Sequence, residues 1–101
     1  MKEVKMLVEC IHEELNDAEK YAKKAAEFKS ENRQMAEMFA QLSREEMVHM
    51  ERLHDQVVKC INKQRDEYGA PPASMMAVWE WEHEKIIDHA AKIKHLQDLM
   101  K

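Results

Sequence analysis

The chain has 101 residues, about one domain's worth, and its 45% hydrophobic and 36% charged content is that of a globular protein and not a disordered one. With 16 Lys and Arg against 20 Asp and Glu the net charge is −4, and no basic block offers itself to nucleic acid. The longest uncharged stretch, Tyr68 to Trp79, contains a glycine and two prolines and is too short and too broken to cross a membrane.

Glu3 and Glu9 stand where a signal peptide would be apolar, which favours a cytoplasmic chain. In that compartment Cys10 and Cys60 are expected to be buried thiols and not a disulfide framework. A single glycine is the most informative count, because sheets and turns consume glycine and this chain has little. The abundance of Ala, Met, Glu, Lys and Gln is helix-forming material. The expected fold is all-α, a single helical domain over residues 1–101 with three long antiparallel helices.

The first helix is expected over about 2–28, with an apolar stripe of Val4, Leu7, Ile11, Ala18, Tyr21, Ala25 and Phe28. A polar break at Ser30-Glu31-Asn32 follows, with Ser30 as the expected N-cap of the next helix. The second helix, about 31–67, repeats Met35, Phe39, Leu42, Leu53, Val57 and Cys60. Gly69 suits the position just past its end, and Pro71 and Pro72 cannot continue it. The third helix, about 73–100, repeats Met76, Trp79, Ile86, Ile87, Ala90, Ile93 and Met100. Trp79 and Trp81 are two apart and point to different faces, one toward the core and one toward a partner. The nine methionines are core filler first and an adhesive surface second.

Each stripe has a gap that an ionisable residue fills. Glu14 lies between Ile11 and Ala18, Glu46 and His49 between Leu42 and Leu53, and Glu80 and His83 between Met76 and Ile86. Residues three or four apart share a helix face, so all five are expected to point inward. Inward carboxylates and imidazoles need partners, because an isolated buried carboxylate costs several kcal/mol. A metal ion provides one, and this donor set suits iron, manganese or zinc.

Glu-x-x-His alone discriminates poorly. It occurs at Glu9/His12, Glu46/His49, Glu51/His54 and Glu80/His83, and only the second and fourth fill stripe gaps. His12, His89 and His95 read as surface residues. His54 and Tyr21 are second-tier candidates, His54 as an orienting partner and Tyr21 as a core aromatic. Neither cysteine has an evident inward base, and the serines are only Ser30, Ser43 and Ser74, so no nucleophile constellation competes.

Glu14-Leu-Asn-Asp-Ala-Glu-Lys-Tyr21, followed some thirty residues later by Glu45-Glu46-Met47-Val48-His49, resembles the first half of the ferritin-like superfamily of ferritins, bacterioferritins and rubrerythrins. The resemblance covers the first two helices. It implies a di-iron carboxylate centre with Glu46 as bridging ligand and Glu14 and His49 as terminal ligands. The implied reaction is oxidation of Fe(II) by O₂ or peroxide, as a ferroxidase or a peroxide scavenger. Manganese or zinc would fit the same ligands.

The family bundle has four helices, whereas this chain has one further helix that begins with Glu80 and His83. Two completions follow. Glu80, His83 and Glu84 or a water close the site within one protomer, or two protomers each give Glu14, Glu46 and His49 across a two-fold axis. The second arrangement resembles the short encapsulated ferritins and makes a homodimer or higher homo-oligomer the expected state. No Cys-x-x-Cys pair of the rubrerythrin type is present. The alternative functions are a helical interaction or assembly module whose Glu/His pairs set register, and a structural metal site at a dimer interface.

Overall fold

A computed structural model describes residues 2–100, and every regular element in it is an α-helix: α1 (Lys2–Phe28), α2 (Arg33–Tyr68) and α3 (Ala73–Asp98). The 36 residues of α2 make a rod, and the molecule measures 56 × 18 × 18 Å.

The helix ends are set by local chemistry. The turn after Phe28 is closed by the Asn32 N–H donating to the Phe28 carbonyl at 2.9 Å. Asn32 then caps α2, its Oδ1 accepting from the Met35 N–H at 3.1 Å, so the cap is Asn32 and not Ser30. Ser30 falls inside the turn that reverses the chain. Asn32→Ala is expected to cost about 1 kcal/mol, read as a lower urea midpoint with an unchanged slope. Gly69 ends α2 at φ +81°, where its N–H donates to Arg65 at 2.8 Å. That backbone conformation favours glycine. Pro71 and Pro72 follow, and the Pro72 carbonyl accepts the first N–H groups of α3, from Met75 at 3.0 Å and Met76 at 3.2 Å.

Side-chain pairings give the register. Glu14 meets Glu46 and His49, and Ser43 bonds to the Ala18 carbonyl, so α1 and α2 run antiparallel. His12 with Glu82, Glu19 with His89 and Lys29 with the Leu99 carbonyl show α3 running parallel to α1 at a constant offset. Ser43 joins all three helices. Its hydroxyl donates to Ala18 at 2.7 Å and accepts from Gln97 at 2.9 Å, and the side chain is fully buried.

The core follows the expected stripe at Val4, Ile11, Ala18 and Ala25 of α1 and at Ile86, Ile93 and Met100 at the end of the chain, and is turned from it in α2. In α2 the buried residues are Ala36, Ala40, Ser43, Met50, Val57 and Ile61. Of the expected row, Val57 alone is buried. Phe39, Leu42, Leu53 and Cys60 are half-buried, and Met35 is exposed. In α1 the buried row is Val4, Val8, Ile11, Leu15, Ala18, Ala22 and Ala25, with Leu7, Tyr21 and Phe28 half-buried beside it. The conspicuous large residues therefore line an outer seam between α1 and α2, while alanines let the two helices approach inside. In α3 only Ile86 and Ile93 are buried, Trp79 is half-buried, and Ile87 and Trp81 are exposed. Cys10 and Cys60 are half-buried free thiols.

Candidate metal centre

Glu14 sits midway along α1 and Glu46 and His49 one turn apart on α2, and the antiparallel register brings them to one level. Their ligand atoms all lie within 4.8 Å of one another, and among the described residues this is the one group of three or more acidic, histidine or cysteine side chains so placed. His49 Nδ1 is 3.5 Å from Glu14 Oε2 and 3.8 Å from Glu46 Oε2.

Two features mark the cluster as chemically unsettled. Glu14 Oε2 is buried and has no hydrogen-bond partner, which is uncommon for a buried carboxylate oxygen. The carboxyl of Glu46 is pushed up to about 7, chiefly by the Glu14 side chain beside it, then by burial and by the charge of Glu14. His49 opposes that shift and Asp17 adds slightly to it. Adjacent carboxylates favour a proton or a cation between them. Two carboxylates and an imidazole that converge in this way fit a divalent iron, manganese or zinc ion.

The cluster faces outward. The His49 side chain is 50% exposed, against 26% for Glu14 and 19% for Glu46. α3 packs on the row of α1 that carries His12 and Glu19. Glu14 and Tyr21 follow those residues by two positions, which is roughly 200° around the helix. The site therefore lies on the seam away from α3. Tyr21 continues the seam: its ring stacks on Phe39 at 6.1 Å, and Phe39 stacks on Phe28 at 6.1 Å. Lys20 Nζ sits 5.0 Å from the Tyr21 ring centre.

Glu80, His83 and Glu84 occupy a different place. The offset between α1 and α3 sets them near the height of Glu14, so direction and not stagger separates them from it. Glu80 and Glu84 are exposed. His83 is half-buried, with its Nε2 3.2 Å from His54 Nε2.

His12 and His89, expected at the surface, instead tie α3 to α1. His12 Nε2 is 2.8 Å from Glu82, and His89 Nε2 is 3.1 Å from Glu19, which Lys92 also reaches at 3.1 Å. His95 is exposed, as expected. Glu19 is held below the usual carboxylate range mainly by its bond to Lys92, and Glu82 by its bond to His12. A signal for this seam was present: His12 and Glu19 are seven apart on α1, and Glu82 and His89 are seven apart on α3, with acid and base exchanged.

Among the described residues no helix is long and apolar enough to cross a membrane. No family model, curated protein or solved structure matches the chain.

Proposed function

We propose that this chain is half of a ferritin-like di-metal carboxylate protein, in which two copies pair along the α1–α2 seam and each contributes Glu14, Glu46 and His49. The carrying observation is the convergence of Glu14, Glu46 and His49, with a buried Glu14 Oε2 that accepts no hydrogen bond. The half-exposed row around it (Leu7, Tyr21, Phe28, Leu42, Leu53) supports the pairing, because an apolar seam with a polar centre matches its own two-fold copy.

Fe(II) is the substrate, and each ion gives up one electron to O₂ or peroxide. The residues' own roles are positional. Glu46 would bridge two ions, and Glu14 and His49 would each hold one. Outward exposure of His49 leaves a path for ions before the copies close. Manganese or zinc at the same ligands would give a structural centre and not a redox one.

The test loads Fe(II) anaerobically, counts metal per chain and measures oligomeric state, beside Glu46→Ala/His49→Ala. One iron per chain in a dimer, lost in the variant, followed by Fe(III) absorbance on admitting O₂ or peroxide, is the expected result. Two irons per monomer would place the whole site in one chain and overturn the pairing. No specific iron in the unmutated protein would sink the reading and leave the triad as a register-setting device of a helical assembly module.

A further inference from the structure

The imidazoles of His54 and His83 meet across the α2–α3 contact, apart from the α1–α2 seam. Their Nε2 atoms are 3.2 Å apart and the ring centres 5.2 Å apart, so the rings meet at their nitrogen edges. Trp79 holds the arrangement. Its ring lies 5.2 Å from that of His83 at an interplanar angle of 22°, and 6.4 Å from that of His54. Both histidines are half-buried, with one side open to water. Further along, α2 and α3 stand apart over a groove of about 570 Å³ lined by Ala40, Met47, Met50 and Ala90.

In the neutral pair one Nε2–H donates to the lone pair of the other ring. A tetrahedral ion bonded to two imidazole nitrogens at about 2.0–2.1 Å holds them about 3.3 Å apart. The pair already stands close to that spacing. For an ion to enter, the proton on the donating Nε2 passes through water to Nδ1 of the same ring. Both Nε2 lone pairs then face the ion, no proton is lost from either neutral ring, and water completes the coordination from the open side.

We propose that His54 and His83 form a second cation site, a two-imidazole clamp for a late first-row divalent ion, Cu(II) or Zn(II). Imidazole without carboxylate favours these ions over manganese, magnesium and calcium. The clamp pins α3 to α2, and it does not depend on the reading of Glu14, Glu46 and His49.

Trp79 supplies the readout, because bound paramagnetic Cu(II) quenches a neighbouring indole. In a Trp81→Phe background Trp79 is the remaining tryptophan of the two in the chain. Glu14→Gln/Glu46→Gln/His49→Gln removes the seam cluster. In that protein a saturable quench at one Cu(II) per chain, competed by Zn(II), is expected. His54→Gln or His83→Gln should each weaken it at least tenfold, with helix content checked by circular dichroism. In the unmutated protein Zn(II) should move the nitrogen resonances of His54 and His83 together. A quench that neither substitution weakens, the absence of a saturable quench, or zinc shifts confined to other histidines would overturn the clamp.

Discussion

Glu46→Gln is expected to stabilise the metal-free protein at pH 8 by about 1–3 kcal/mol while abolishing the stabilisation that Fe(II) confers. In the folded chain Glu46 titrates at about 7, above its ordinary 4.5. A group raised in the folded state adds stability that is full below its unfolded value and is lost as pH climbs through the folded one. The Glu46 contribution therefore fades between about pH 4.5 and 7, and at pH 8 the like-charge cost is fully present. Gln keeps the shape and removes the charge, so the variant loses that slope.

Glu19 and Glu82 behave in the opposite sense. They are lowered, by Lys92 and by His12, so their contributions stand above the ordinary carboxylate range and fall away below it. The acid limb should be the same in both proteins. Urea unfolding from pH 3 to pH 8 checks this, and differences between the two proteins at each pH cancel what they share. With Fe(II) at a hundred times its dissociation constant, the unmutated protein should gain about 2.7 kcal/mol and the variant almost nothing. Equal slopes from pH 5 to pH 8 would show that the Glu46 carboxyl is not raised in the folded chain.

Ile93→Ala should be the most damaging single substitution in α3, at about 2–5 kcal/mol. Ile93 is fully buried, and it and Ile86 are the two buried residues of α3, with Trp79 and Ala90 packed against the core beside them. α3 rests chiefly on α1 and touches α2 sparsely, so few neighbours can close the cavity. Backbone amides of α3 should exchange faster, while α1 and α2 stay protected and iron still binds at Glu14, Glu46 and His49. Hydrogen exchange read beside iron stoichiometry separates the two responses. Loss of iron together with α3 protection would make α3 part of the site and return Glu80 to it.

The helices were legible because glycine and proline are scarce and stand where the chain reverses. The Glu14, Glu46 and His49 cluster was legible because Glu-x-x-His spacing and antiparallel register place side chains along a helix whatever its rotation. Rotation itself was not. Large residues such as Phe39, Leu42 and Leu53 draw the eye to one stripe, yet a tight helix pair buries Ala36, Ala40 and Ser43 instead, which composition treats as neutral. Reading the gaps as inward followed from that. The place of α3 was equally hidden, since its apolar residues spread around the helix while its attachment to α1 runs through His12, Glu82, Glu19 and His89.

The unequal attachment of the helices also orders events in time. α1 and α2 are joined by a short turn and share the densest packing, whereas α3 must find α1 across the whole length of α2. Contacts between chain neighbours form fastest, so the α1–α2 hairpin is the first cooperative unit to appear. During synthesis that hairpin leaves the ribosome before α3 does. The carboxylates and imidazole of the seam are therefore brought to one level by the first unit to fold, before the third helix docks.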